Sequence, residues 1–167
     1  MLCGKIAAGK STLARRLAEP PATVLVSQDH WLSHLYPDEL KTVADYIRYF
    51  GRLRPAMSPH LQSLLEAGVS IVLDFPANTV ATRQWMRALY SNAGADHCLH
   101  FLDVPDEVCR ARLHARNAAG LHEYAASDAE FDEITRYFQP PSPDEGFTII
   151  VYHRGDIFSD RGGSARL

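Results

Sequence analysis

The stretch Gly4-Lys5-Ile6-Ala7-Ala8-Gly9-Lys10-Ser11-Thr12 constrains this chain more than any other. Its two glycines permit backbone angles that a Cβ would forbid. Successive N–H groups between them can then curl into a concave, anion-binding nest. The pattern G-x-x-x-x-G-K-[ST] is that of a phosphate-binding loop, in which Lys10 reaches the outer phosphates and the Ser11 hydroxyl ligates Mg²⁺. Residues 11–19 read as a helix, with Leu13 and Leu17 on one face and Pro20-Pro21 ending it. The N-terminus of that helix aims unpaired N–H groups and a partial positive charge at the same anion. All nine residues, Gly4 to Thr12, are therefore expected phosphate contacts. Such a loop normally follows a buried strand of about five residues, and only Met1-Leu2-Cys3 precede Gly4. Either the strand is unusually short or the chain begins upstream.

The 167 residues suit one domain with a sizeable core, and a charged content of 22% is a globular value. The expected domain spans 1–153, with a Gly/Ser/Arg-rich tail at 154–167 that frays. No apolar run approaches the ~18 residues of a membrane helix, and no signal peptide precedes the loop. Cys3, Cys98 and Cys109 are odd in number and lack metal spacing, the usage of reduced thiols in a cytoplasmic protein. Residues 1–60 carry eight Lys/Arg against five acids, and 61–167 carry nine against fifteen. That balance argues against broad nucleic-acid binding and leaves room for a local basic pocket.

Residues 23–27 form a short β-branched run, read as a buried strand, and Gln28-Asp29-His30-Trp31 lie where it would open into a loop. Ligands bind at the carboxyl ends of strands in open α/β sheets, which makes Asp29 a candidate. His30 and His34 have a metal-pair spacing, but no third ligand accompanies them. Residues 38–54 read as a helix; Pro55 and Pro59 then break the chain before a second helix at 60–67. Residues 69–74 are the clearest strand, again ending in an acid, Asp74. A helix at 79–91, a strand at 97–104 and a helix after Pro105 follow, then a polar stretch at 117–126. Ser127-Asp128-Ala129-Glu130 is a capping box, Pro140-Pro141-Ser142-Pro143 a stiff linker, and 147–152 a last strand. The alternation predicts a parallel sheet with helices on both faces, an α/β fold of three layers.

With these landmarks in order, the chain from the loop to about residue 139 resembles the small P-loop kinases of the polynucleotide kinase and zeta-toxin-like group. The resemblance implies a five-stranded parallel sheet in the order 2-3-1-4-5. In that group an acid after the second strand faces the substrate hydroxyl, the position of Asp29. An Asp-Thr-Asn segment follows the third strand, with an arginine five residues past its Asn. Here Asp74, Asn78 and Arg83 stand in those places, as candidate substrate contacts, the spacing to Asp74 longer by two. A strand ending Asp-Val-Pro leads to a lid with two arginines four apart, matched by Asp103-Val104-Pro105, Arg112 and Arg116. Phe138-Gln139-Pro140-Pro141 and Glu145-Gly146-Phe147 resemble a subset of uncharacterised P-loop ATP-binding proteins.

These residues make a parts list for phosphoryl transfer, where catalysis is mainly positioning and electrostatic stabilisation. The expected cofactors are ATP and Mg²⁺, and the partner is a small-molecule or nucleic-acid-end hydroxyl. Lys10 would hold the phosphates, Arg112 and Arg116 would close over the transferred group, and Asp29 would align the acceptor. An ordinary aspartate is a weak base at neutral pH, so it would act late in the reaction. Two other classes stay open: an NTPase that activates water, and a module that binds ATP without turnover. Many such NTPases place a Glu directly after the strand-end acid, whereas Phe75 follows Asp74 here.

Overall fold

The computed structural model describes residues 1–120 and 125–153. β1 (Leu2–Cys3) runs through the glycine loop into α1 (Lys10–Leu17), and β2 (Thr23–Ser27) into α2 (Gln28–Leu35) and α3 (Val43–Glu66). β3 (Ser70–Asp74) precedes α4 (Val80–Asn92), and β4 (Leu99–Leu102) precedes α5 (Asp106–Ala118) and α6 (Asp128–Thr135). β5 (Ile149–Tyr152) comes last. Residues 154–167, expected to fray, and 121–124 of the polar stretch lie outside the described residues. Among the described residues no helix is long and apolar enough to cross a membrane.

The strands are parallel, but the expected single five-stranded sheet does not form. β1, β4 and β5 make one sheet, in the order β1-β4-β5, and β2 and β3 make another. They meet at one bridge, Leu2 to Pro76, where the Ala77 N–H donates to the Leu2 carbonyl at 2.9 Å. Two local causes interrupt the ladder. β1 has two residues, too few to run along β3. Pro76 brings no N–H to the junction.

Both faces of the sheets are covered. Cys3, Leu73 and Leu99 pack with Leu53, Met57 and Leu61 of α3 and with Met86 and Leu89 of α4. Their strand neighbours Leu2, Val72 and Leu102 point the other way, against Leu13 of α1, Leu113 of α5 and Phe131 of α6. This period-two alternation between two apolar clusters gives three layers. β2 departs from the expected buried strand. Val24 and Leu25 are 38% and 37% exposed because β2 is an edge, paired only with β3.

The expected break at Pro55 and Pro59 is also absent; both lie inside the 24-residue α3. Tyr49, Leu53, Met57 and Leu61 form a buried stripe at four-residue spacing straight through them. The two prolines are themselves four apart and exposed on the opposite face. There the carbonyls they leave unpaired can turn to water, so burial of the stripe outweighs the lost hydrogen bonds.

The Pro-rich segment expected as a linker is instead part of the packing. Arg83 of α4 is fully buried and grips Glu145 through two bonds, at 2.7 and 2.8 Å. It also donates to the carbonyls of Ala77 (2.9 Å) and Gln139 (2.7 Å). Glu145 ends a 3-10 turn, Pro143–Glu145, capped by Ser142. Its carboxyl is held below its usual range, chiefly by the hydrogen bond from Arg83. Removing Arg83 takes the charge partner from a half-buried carboxylate and the donor from the Ala77 and Gln139 carbonyls. Arg83→Ala is expected to lower folding stability by about 3–5 kcal/mol in denaturant titration. A loss under about 0.5 kcal/mol, as at ordinary surface sites, would show the grip to be dispensable.

Candidate functional site

The loop is built by backbone strain and close approach. A Cβ on Gly4 would lie 3.0 Å from the Leu102 carbonyl oxygen and 3.1 Å from its Cβ, so only glycine lets β4 pass this near. Gly9, at φ 110°, turns the chain into α1, and Ala7 takes a left-handed φ of 58°. That conformation is uncommon for a residue with a Cβ, and such strain gathers at binding sites. No side chain caps the N-terminus of α1 and no acid occupies its first turn. Its amides are thus left to an anion.

Lys10 folds back over the loop and donates to the carbonyls of Gly4 (2.7 Å) and Lys5 (2.8 Å). Burial pushes its amine below the usual range, while Asp74, Cys3 and Asp29 pull the other way. Ser11, next on α1, hydrogen-bonds the Asp74 carboxylate. That carboxyl is pushed up, first by burial and further by Asp29; the Ser11 bond, Lys10 and Arg15 oppose the shift. One positive and two negative side chains therefore share the space beyond β1, β2 and β3.

Asp29 lies in the first turn of α2, not in a loop. The helix starts at Gln28 because Ser27, at its N-cap, accepts from the His30 N–H at 3.5 Å. Asp29 Oδ1 accepts from the Tyr46 hydroxyl of α3 at 2.7 Å. Tyr46 also accepts from the Gln28 side-chain amide. Neither Tyr46 nor Gln28 stands out in the sequence. Their roles come from the packing of α2 on α3, which no spacing within one helix reveals.

Of the two candidate lid arginines on α5, Arg112 reaches the loop from the other side. Arg112 Nη1 donates to the Ala8 carbonyl at 3.1 Å. Burial pushes the Arg116 guanidinium below its usual value and the Asp29 carboxylate draws it back up, which sets Arg116 on the Asp29 side. The start of α5 is tied to the loop by a Lys5–Asp106 ion pair.

The three residues expected to meet an acceptor occupy three different places. Asp74 is beside Ser11 and Lys10. Asn78 spans the backbone of Gly4: its Oδ1 accepts from the Gly4 N–H at 2.9 Å, and its Nδ2 donates to the Gly4 carbonyl at 3.0 Å. Arg83 has no solvent exposure and is taken up by Glu145 and the carbonyls of Ala77 and Gln139. That geometry gives it a structural task. His30 and His34 lie on one face with ring centroids 4.2 Å apart. Among the described residues no three His, Cys, Asp or Glu gather as metal ligands.

The AAA domain family matches residues 1–141. No protein of curated function matches the chain. Among solved structures it is similar to a kinase candidate from Chloroflexus aurantiacus j-10-fl, with 21% identity, a TM-score of 0.70, and 91% of this chain and 82% of that one covered. It is similar to Kti12 of Chaetomium thermophilum in complex with ADP-AlF3, with 15% identity, a TM-score of 0.69, and coverage of 93% and 88%. A sugar kinase from Janibacter sp. HTCC2649, unliganded, aligns with 17% identity, a TM-score of 0.59, and coverage of 91% and 82%. At these identities the likeness is one of fold, the α/β fold of P-loop kinases. Matched from Met1 through Pro141, glycine loop included, the chain belongs to the AAA domain family.

Proposed function

We propose that this chain is an ATP-dependent phosphotransferase that moves the γ-phosphoryl group of ATP onto a hydroxyl acceptor. One observation carries the reading: Lys10, Ser11, Asp74 and Asp29 lie within mutual electrostatic reach, with Arg112 and Arg116 entering from α5. The loop amides and Lys10 cradle the β- and γ-phosphates. Ser11 and the Asp74 carboxylate are the hard oxygen donors that Mg²⁺ prefers, so the residues fit that ion. When bound, the ion neutralises charge across the two phosphates.

Asp29 aligns the acceptor hydroxyl with the γ-phosphorus. As the new O–P bond forms, the bond to the β-phosphate oxygen breaks and its electron pair leaves with ADP. The acceptor proton passes late to Asp29. Arg112 and Arg116 stabilise the charge on the three equatorial oxygens. The arrangement follows the polynucleotide kinase and zeta-toxin-like group in Asp29 and the paired lid arginines. A net charge of −3 favours a small-molecule hydroxyl over a long polynucleotide. Against an NTPase reading, the position after Asp74 holds the fully buried Phe75, which can neither orient nor deprotonate a water.

Three variants test this. Lys10→Ala is expected to weaken Mg·ATP binding at least about tenfold by calorimetry with the fold intact, since among the described residues Lys10 Nζ bonds two loop carbonyls. Parental affinity would remove the nucleotide assignment. Arg116→Ala should lower kcat more than it raises KM if the guanidinium meets the phosphoryl group chiefly in the transition state. A parental kcat would make Arg116 a surface partner of Asp29 and no more.

Asp29→Asn separates a kinase from its rivals. Mg·ATP affinity is expected to stay within a few-fold, while transfer to an acceptor falls by roughly 10²–10⁴, the worth of a positioned acid or base. Measured across a panel of hydroxyl compounds with γ-labelled ATP, acceptor-stimulated turnover supports the kinase. Acceptor-independent turnover points to an NTPase, and binding without turnover to a module that only holds ATP. Undiminished transfer in this variant would take Asp29 out of the site.

A further inference from the structure

We infer that Tyr46 is a positioning residue for phosphoryl transfer, holding the Asp29 carboxylate through a directed hydrogen-bond chain that begins at Gln28. The inference rests on the phosphotransferase reading and assigns a task to two side chains outside it. Tyr46 has one hydroxyl proton, an ionised carboxylate only accepts, and an amide nitrogen only donates. With the phenol between Gln28 Nε2 and Asp29 Oδ1, the order is therefore fixed. The Gln28 N–H donates to the Tyr46 oxygen, and the Tyr46 O–H donates to Asp29. Anchored at Oδ1, the carboxylate cannot rotate about its Cβ–Cγ bond without breaking that contact, so the direction of Oδ2 is set.

Each end of the chain is fixed by its helix. Thr42 and Asp45 close a reciprocal cap at the start of α3, both backbone bonds at 3.1 Å, which sets Tyr46 one residue later. Ser27 caps α2 so that Gln28 and Asp29 form its first turn. Tyr36 stacks on Tyr49 with centroids 4.1 Å apart, where the end of α2 meets α3. Burial, and then the Asp29 charge, push the Tyr46 phenol well above its usual range, so it stays a neutral donor. Gln28 is 1% exposed, and its Oε1 has no hydrogen-bond partner among the described residues. An apolar side chain would fill that space without stranding an oxygen. The amide is explained by its nitrogen, which orients the phenol.

The test uses the full chain, single-turnover transfer from γ-labelled Mg·ATP, and glycerol, ribose and a 5′-hydroxyl oligonucleotide as acceptors. Tyr46→Phe keeps the ring and removes the hydroxyl. Transfer to the best of the three acceptors is expected to fall about 10–100-fold, the usual effect of losing a group that orients a functional side chain. Mg·ATP affinity stays within about twofold, so kcat falls and KM for ATP does not move. Gln28→Met, which removes only the donor to the phenol, reduces transfer in the same direction by a smaller factor and serves should Tyr46→Phe fail to fold. In an Asp29→Asn background, Tyr46→Phe is expected to change transfer by less than about twofold, because the two act as one unit. A merely structural tyrosine would multiply its effect with that of Asp29→Asn, and this outcome overturns the inference. So does a parental rate in Tyr46→Phe while the unaltered protein is active. If the unaltered protein transfers to none of the three acceptors, or to water alone, the phosphotransferase reading falls and the inference with it.

Discussion

Two hydrogen bonds between the Asn78 side chain and the backbone of Gly4 hold the loop where the two sheets meet. β1 is too short to pair along β3, and the two sheets share one bridge. The amide of Asn78 takes the place of a missing strand neighbour, receiving from the Gly4 N–H and donating to its carbonyl. It is held in turn from the far end of the chain. The Asn78 carbonyl accepts from the Gln139 N–H at 2.8 Å, and the Gln139 side chain accepts from the Val80 N–H at 2.9 Å. Arg83 clasps the preceding carbonyl, Ala77, while bound to Glu145. A polar chain thus runs from the 3-10 turn at 143–145 to the first glycine of the loop. The start of that loop depends on residues about 140 positions later.

The closing segment therefore has a physical explanation. Phe138 lies under the Lys5 ammonium and against Phe101, Gln139 braces Asn78, and Glu145 neutralises a buried guanidinium. Gly146, at φ 63°, turns the chain toward β5. Each residue serves the loop without any need to touch a nucleotide.

How much of this is legible in the sequence depends on the range of the interaction involved. The loop is read from nine consecutive residues because its geometry is local, and helix starts with side-chain caps, at Thr79 and Ser127, fall where their oxygens predict. Three readings fail where the deciding contact is remote. The prolines of α3 stop a helix in isolation, but a stripe packed on β3 and α4 carries it through. The strand count fails because pairing needs a neighbour as well as a propensity. Arg83 has the spacing of the resembled group's arginine, a candidate substrate contact, and Glu145, 62 residues away, shows where its charge goes. Within the site, Lys10, Ser11, Asp29, Asp74, Arg112 and Arg116 can all be listed from the sequence. Tyr46 and Gln28 cannot, because their relation to Asp29 exists only once two helices pack.

Charge gives this arrangement a reason to take an anion on the proposed reading. Lys10 and Arg112 donate to the carbonyls of Gly4, Lys5 and Ala8, all of them in the loop. Burial strips hydration from the Lys10 amine, and the nearby Asp74 and Asp29 carboxylates offset that only in part, as the depressed amine records. Asp74 bears the opposite cost, its carboxylate disfavoured by burial and by Asp29. A triphosphate supplies full negative charge to the cations but adds to the repulsion felt by the two carboxylates. On the proposed reading, Ser11 and Asp74 would hold a divalent cation, whose charge would offset that repulsion. On that reading Asp29, on a separate helix and hydrogen-bonded by Tyr46, would be the carboxylate that faces the acceptor hydroxyl.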